Sequence, residues 1–377
     1  MTASTDIPVR RLPDTVEPPQ PQPAGKVALY AALDLGTNSC RMLIAQPSGS
    51  QFRVVDSFSK TVQLGRGLER HGSLSNASIG RTIAALRTCR NKLEIHGVSR
   101  MRMVATEACR RASNGAEFLK RVAGETGLTL EVIQPEEEAC LAVVSCAPLV
   151  APETRQLLVV DIGGGSTELI WLDLSKIEPG ERAQAIMRLR AGFRQSCAAA
   201  QQPVAAVVDW ISVPVGVATL KDQFDDVGED GAKFALMSCF FEECLDNFLP
   251  YRNAGPGDCP PEPDFQIIGT SGTVTTVAAS HLGLRRYDRN KVDGLSLTSA
   301  EIDAVIRNYL TLGPEGRRRD PRIGRDRQAL ILSGVAILQT LMRIWPTERL
   351  SVADRGLREG LLYAQMCADG VLADGAF

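Results

Sequence analysis

Two short apolar runs with β character, Val27 to Leu33 and Leu157 to Val160, each stop at an Asp-x-Gly sequence and resume a few residues later, at Met42 to Ala45 and Leu169 to Leu172. The pattern predicts strand, tight turn, strand in both places. The two stretches align without a gap. Asp34 falls on Asp161, Gly36 on Gly163 and Ser39 on Ser166, an offset of 127 residues. That offset is about one domain length, so the pattern implies an internal duplication in which each copy presents a hairpin turn to a shared cleft.

Between the copies, Ser75 to Ile95 has helical spacing, with Ile79, Ile83, Leu86, Arg90 and Leu93 near one face and Ser75 or Asn76 available as N-cap. Arg102 to Ala105 and Leu128 to Ile133 read as strands, Asn114 to Ala123 as a helix opened by an Asn cap, and Glu136 to Val144 as a helix starting after Pro135. Further on, Gln266-Ile267-Ile268 reads as a buried strand running into Gly269-Thr270-Ser271-Gly272-Thr273, a third glycine turn, followed by a helix over Val274 to His281. Ala329 to Trp345 has the density of a core helix, and Gly356 to Met366 begins a terminal one. The sequence of elements is mixed α/β.

A chain of 377 residues has room for two globular units. Lys and Arg number 42 against 44 Asp and Glu, which argues against wholesale coating of nucleic acid but leaves room for a local basic groove. Ten cysteines without a C-x-x-C pair read as cytosolic free thiols. Three scattered histidines, His71, His96 and His281, suit neither a zinc cluster nor a histidine-based triad, so acid/base chemistry falls to carboxylates. Residues 1–25, with six prolines, lack the apolar core of a secretory signal and read as a disordered tail. The uncharged run Phe265 to Leu284 has the length of a membrane span but carries six Ser or Thr residues, so a cytoplasmic protein without a membrane partner is expected.

The turns carry the candidate chemistry. In Gly163-Gly164-Gly165-Ser166-Thr167 no Cβ obstructs the glycines, so consecutive N–H groups and two hydroxyls can converge on phosphate oxygens. Thr37, Asn38 and Ser39 offer hydroxyl and amide donors on the opposite turn, and Ser271 and Gly272 open a helix whose N-terminus favours an anion. No Gly-Lys-Ser/Thr follows any of them, so none is a Walker loop. Asp34 and Asp161 end apolar strands at the cleft floor, where a carboxylate can bind Mg2+ directly or through water, or simply accept turn N–H bonds. Glu168 can return to the same side. Glu136, Glu137 and Glu138 open a helix, where acidic residues are also favoured by the dipole. Arg110 and Arg111 follow a strand and could fork onto phosphate or pair at the surface. Arg317, Arg318, Arg319, Arg322, Arg325 and Arg327 form a run that reads either as a solvated loop or as a track for an extended polyanion.

The segments Ala32-Leu33-Asp34-Leu35-Gly36-Thr37-Asn38-Ser39, Val160-Asp161-Ile162-Gly163-Gly164-Gly165-Ser166-Thr167-Glu168-Leu169 and Gly269-Thr270-Ser271-Gly272-Thr273 resemble the three signatures of the exopolyphosphatase/guanosine pentaphosphate phosphohydrolase family. The resemblance runs from about Val27 to Tyr363 and includes the stretch from Ala105 to Asn114, Glu137-Glu138-Ala139, and the stretch from Asp354 to Gly360. It implies the actin-like, ribonuclease H-like α/β fold, with two duplicated domains around a central phosphate-binding cleft. The expected division is a tail over 1–25, domain I over 26–143, domain II over 144–355, and a C-terminal helix over 356–377 packing back on domain I.

The same resemblance implies a role for individual residues. Glu138 matches the glutamate that activates the attacking water. Asp161 and Glu168 match acidic residues linked to Mg2+, and Arg110 matches a phosphate-contacting arginine. Thr37, Asn38, Ser39, Gly164, Gly165 and Ser166 fall on phosphate-binding turns, with Thr167, Ser271 and Gly272 beside them. Two departures stand out. Relatives often carry Lys-Val-His-Gly where this chain has Lys291-Val292-Asp293-Gly294, and longer relatives continue into helical domains, so a short two-domain form is expected.

These readings together predict an exopolyphosphatase that releases terminal phosphate from polyphosphate by Mg2+-assisted water attack. The alternatives are guanosine pentaphosphate hydrolysis to guanosine tetraphosphate, an actin-fold kinase, and a non-enzymatic polyphosphate or alarmone sensor. Polyphosphate or guanosine pentaphosphate is the expected partner, with no nucleic acid; a homodimer is left open.

Overall fold

The computed structural model describes residues 28–189, 205–253, 264–325 and 327–372. The expected tail over 1–25 therefore lies outside the described residues, as do Asp326 of the arginine run and residues 373–377.

The first half contains strands β1 (Tyr30–Leu35), β2 (Ser39–Ser48) and β3 (Gln51–Thr61), helices α1 (Leu68–His71) and α2 (Asn76–His96), and strand β4 (Arg100–Ala105). Helices α3 (Glu107–Arg111) and α4 (Gly115–Thr126), strand β5 (Glu131–Val132) and helix α5 (Pro135–Cys146) follow. The second half opens with β6 (Gln156–Ile162), β7 (Thr167–Asp173), α6 (Arg182–Met187) and β8 (Ala206–Val213). Three helices, α7 (Val217–Gln223), α8 (Asp230–Glu243) and α9 (Leu249–Asn253), lead to β9 (Phe265–Thr270), α10 (Gly272–His281), α11 (Arg289–Val292) and β10 (Ser296–Leu297). The chain closes with α12 (Ser299–Arg319, kinked at Gly313), α13 (Ile331–Ile344), β11 (Leu350–Ala353) and α14 (Leu357–Ala368).

The sheet orders bear out the duplication. The first sheet runs β3-β2-β1-β4-β5 and the second β10-β11-β9-β6-β7-β8. In each, a three-stranded antiparallel meander is extended on its first strand by parallel strands, β4 and β5 in one case and β9 and β11 in the other. Among the described strands only β10, antiparallel at the edge, has no counterpart. Read as first-to-fifth strand in chain order, both halves have the order 3-2-1-4-5, the duplicated α/β topology of the actin-like fold.

Both central strands are buried on both faces, which is why neither alternates in sequence. From β1, Ala31, Leu33 and Leu35 pack toward α2 with Ile79, Ile83 and Leu86, while Tyr30 and Ala32 face Leu361, Leu362 and Met366 of α14. From β6, Leu158, Val160 and Ile162 join the core around α10 and α13, while Leu157 and Val159 meet Ala139 and Val143 of α5. Helices α5 and α14 cross so closely that a Cβ on Gly360 would lie 2.2 Å from the Leu141 carbonyl oxygen.

Local chemistry sets several element ends. Ser75 caps α2 by accepting from the Ser78 N–H at 3.2 Å, as its position predicts. Asn114 does not cap α4. Its amide is spent on Leu74 instead, accepting from its N–H at 2.8 Å and donating to its carbonyl at 2.9 Å, which staples the α4 entrance to the chain before α2. The strand expected over Leu128 to Ile133 shrinks to two residues, because β5 is an edge strand with only two pairings to β4.

Candidate functional site

The two duplicated turns have the same internal bond. Gly36 N–H donates to the Ser39 carbonyl at 3.0 Å and Gly163 N–H to the Ser166 carbonyl at 2.9 Å. Each turn is also tied back from outside. The Asn38 carbonyl accepts from Val62 and Gln63, and the Thr37 carbonyl from Gly65, all at 2.9 Å. The Gly163 and Gly164 carbonyls accept from Val217 and Ala218 at the start of α7, at 3.0 and 2.8 Å. With the carbonyls occupied, the amides of Thr37, Asn38, Gly164, Gly165 and Ser166 donate to no group among the described residues, although all five residues line one cleft. Peptide N–H groups in a folded interior are seldom left unpaired, so five from buried or half-buried residues along one cleft amount to a receptor for acceptor oxygens. The cleft has a volume of about 250 Å³.

The turns touch each other across the cleft. A Cβ on Gly165 would lie 2.6 Å from Thr37 Oγ1, and one on Gly164 would lie 3.3 Å from Asn38 Cβ. Glycine at these two positions lets the halves close together.

Ser39, Ser271 and Gly272 also line the cleft. Ser271, with φ 142°, caps α10 by accepting from Thr273 and Val274 at 3.1 and 3.4 Å. Thr167 departs from its expected role: its hydroxyl donates to the Val215 carbonyl at 2.7 Å and its side chain is buried behind the turn.

Four carboxylates gather at the floor. Asp34, Asp161 and Glu138 line the cleft, and Glu168 lies next to Asp161 in the β6–β7 pairing, accepting a hydrogen bond from Ser212 Oγ at 2.7 Å. Burial holds all four above their ordinary protonation range. Asp161 is pushed up to about 7 by burial and by the charges of Glu138 and Asp34. Glu138 is raised by burial and by Glu168, against the lowering pull of Arg110. Glu168 is raised by burial and by Asp161, and Asp34 by burial, with Arg41 opposing.

Arg110 does not reach the cleft lining. Its guanidinium donates to Glu138 Oε2 at 2.9 Å, to Glu107 Oε2 at 3.0 Å and to the Ile133 carbonyl at 2.7 Å. In this arrangement it fixes Glu138. The neighbouring Glu137 is turned away, bound to Arg102 at 2.6 Å.

Four arginines line the cleft that the motif reading did not assign: Arg41, Arg327, Arg355 and Arg358. Arg41 lies opposite Asp34 in the β1–β2 pairing. It occupies the duplicate of the Glu168 position, so the two copies carry opposite charges at matched sites. Arg327 is the one member of the arginine run in the cleft. Its Nη1 bonds the Gly272 carbonyl at 2.9 Å and Thr276 Oγ1 at 2.6 Å. The rest of the run divides: Arg317 is buried against Asp230 at 2.6 Å, Arg322 pairs with Asp320 at 2.6 Å, and Arg318 pairs with Glu315 at 2.5 Å. It is therefore neither one solvated loop nor one continuous track. Arg327 belongs to the run noted in the sequence and Arg355 and Arg358 to the Asp354–Gly360 stretch, but no local pattern shows that β2, the loop before α13 and the start of α14 bring their arginines together.

Among the described residues no group of three or more His, Cys, Asp and Glu is arranged to hold a metal by itself. The acidic floor is nonetheless a fitting outer support for a divalent cation carried with phosphate oxygens, because carboxylates that raise one another's pKa are relieved by a positive charge.

The fold and the site define a class: a duplicated actin-like α/β protein whose two hairpin turns and four arginines surround a cleft floored by acids. Consistent with that class, the model of the Ppx/GppA phosphatase family matches residues 43–368, and the chain belongs to that family, whose members hydrolyse phosphoanhydrides. A protein of Vibrio vulnificus named guanosine-5'-triphosphate,3'-diphosphate pyrophosphatase is 28% identical over 344 residues, covering 91% of this chain and 60% of that protein. One of the same name from Aeromonas hydrophila is 27% identical, with 89% and 59% covered. The chain thus spans about 60% of the length of these relatives. The crystal structure of the Aquifex aeolicus family member superposes with a TM-score of 0.68 at 28% identity, covering 91% of this chain and 99% of that one. An exopolyphosphatase of Cytophaga hutchinsonii shares the fold with a TM-score of 0.72 at 22% identity, covering 91% and 98%. Among the described residues no helix is long and apolar enough to cross a membrane.

Proposed function

We propose that the protein hydrolyses the terminal phosphoanhydride of inorganic polyphosphate, releasing one phosphate per cycle. The observation that carries this reading is the set of five amides, from both duplicated turns, that have no acceptor among the described residues and belong to residues lining the cleft that also holds Glu138. Donors fixed in advance by the surrounding fold stabilise charge spread over equatorial phosphoryl oxygens without reorganising during the reaction. Glu138, held by Arg110, accepts a proton from water as the water oxygen bonds to the terminal phosphorus. The bond from that phosphorus to the bridging oxygen breaks, and the shortened chain leaves with the electron pair. Mg2+, held by Asp161 with Glu168 behind it, would offset phosphate charge. Arg41, Arg355 and Arg358 suit the following phosphates of the chain.

A second reading, hydrolysis of guanosine pentaphosphate to guanosine tetraphosphate, is favoured by the names of the Vibrio and Aeromonas relatives. It uses the same cleft and bond. Phosphate release from long-chain polyphosphate and from guanosine pentaphosphate, measured side by side with Mg2+, tests both. A kcat/KM at least tenfold higher on polyphosphate supports the first reading, the reverse ratio selects the second, and no release from either overturns both.

A further inference from the structure

The departure at Asp293 has a structural counterpart. Asp293 lies just after α11 and binds Arg355, which lines the cleft at the start of α14. The contact is two-pronged: Arg355 Nε lies 3.0 Å from Oδ2 and 3.3 Å from Oδ1, and Nη2 lies 3.0 Å from Oδ2. Asp293 Oδ1 also accepts from the Asp354 N–H at 3.1 Å, so one carboxylate holds both the side chain and the adjoining backbone. The Arg355 carbonyl is fixed in turn by Thr270 Oγ1, at the end of β9. Both ends of Arg355 are therefore anchored, while its Nη1 has no acceptor among the described residues. The pair is partly buried, with side chains 22% and 16% exposed. A guanidinium held this way presents its free edge to an anion with little rotamer entropy left to lose.

We propose that Asp293 is a positioning residue that aims Arg355 at a phosphate beyond the one being cleaved, so that the Asp293–Arg355 pair sets affinity for the distal part of the substrate rather than the rate of bond cleavage. This rests on the phosphoanhydride reading above. A histidine at position 293 could not make the same two-pronged contact, which ties this contact to the aspartate of this chain.

The test compares wild type with Asp293→Asn, Asp293→Glu, Arg355→Met and the double variant Asp293→Asn/Arg355→Met. The readouts are kcat and KM on polyphosphate and on guanosine pentaphosphate, calorimetric binding of inorganic tripolyphosphate, and Tm. Asp293→Asn is expected to raise KM and weaken tripolyphosphate binding about tenfold with kcat within about twofold, roughly the scale of one lost charge-assisted contact. Asp293→Glu is expected to recover most of that loss, and the double variant to bind no more weakly than Arg355→Met alone. Wild-type KM and tripolyphosphate affinity in Asp293→Asn, additive losses in the double variant, or a fall in kcat and Tm with KM unchanged would each overturn the inference. If wild type neither binds tripolyphosphate nor releases phosphate from either substrate, the functional reading itself fails and this inference with it. A normal wild type with unaffected variants rejects the positioning role alone.

Discussion

Glu138 is placed between opposing influences. Burial and Glu168 favour its neutral form, whereas Arg110 at 2.9 Å favours the carboxylate that can take a proton from water. Glu138→Gln removes the base but keeps the shape, so kcat should fall roughly 100- to 10,000-fold while tripolyphosphate still binds. Turnover near wild type would reject the base assignment. Arg110→Met should have a different signature. Losing the guanidinium raises the Glu138 pKa further, so the acidic limb of the kcat/KM profile should move to higher pH, with binding of tripolyphosphate little changed. An unmoved limb combined with a large rise in KM would instead show that Arg110 leaves Glu138 to hold phosphate, the role its position in the motif implies.

The duplicated hairpins are held from behind by other elements, and those supports can be tested separately. In α7, the N–H groups of Val217 and Ala218 bond the carbonyls of the Gly163 turn, and Gly216 lies flat against it. A Cβ at Gly216 would fall 2.5 Å from the Gly163 oxygen and 2.6 Å from the Gly165 nitrogen, both backbone atoms. Gly216→Ala should therefore displace the turn and lower kcat/KM on the order of 100-fold, the scale expected when reacting groups shift by about 1 Å. Thr167→Val, by contrast, strands the Val215 carbonyl and should cost about 1–3 kcal/mol in denaturant unfolding while KM stays constant. A rise in KM for Thr167→Val would restore it to the phosphate site.

The hairpins were legible in sequence because an Asp-x-Gly break between apolar runs is a local pattern, and its repetition at a fixed offset gave the duplicated topology as well. The inward turn of the Thr167 hydroxyl was not legible, because a hydroxyl beside a glycine turn does not reveal which side of the turn it faces. Gly216 and the convergence of the cleft arginines were not legible. Their roles depend on backbone or side chains brought together from distant segments, and an arginine such as Arg41 within a strand looks like an ordinary surface position.

Across the molecule, the acidic floor joins elements from both halves: Asp34 from β1, Asp161 and Glu168 from β6 and β7, and Glu138 from α5, which α14 braces through the close crossing at Gly360. Charge on this floor therefore bears on how firmly the halves hold together. Asp161 has a folded pKa of about 7, above its ordinary value of 3.8, and the other three are shifted the same way. For a carboxyl raised on folding, the unfolded chain gives up its proton first. The stabilisation is complete below the unfolded pKa and is lost as pH rises through the folded one, here through about 7. With metal chelated, Tm should fall as pH rises from about 4 to about 7 and level off above that. On the proposed mechanism Mg2+ would join the ionised floor together with phosphate oxygens, so adding it in the presence of inorganic phosphate should raise Tm more at pH 8.5 than at pH 5.5, where protons already occupy the site. Asp161→Asn should flatten the metal-free pH dependence and remove most of the Mg2+ increment. A Mg2+ shift of equal size at both pH values, or one that survives intact in Asp161→Asn, would mean that the cation does not bind at this floor and that the four carboxylates serve the closed fold without it.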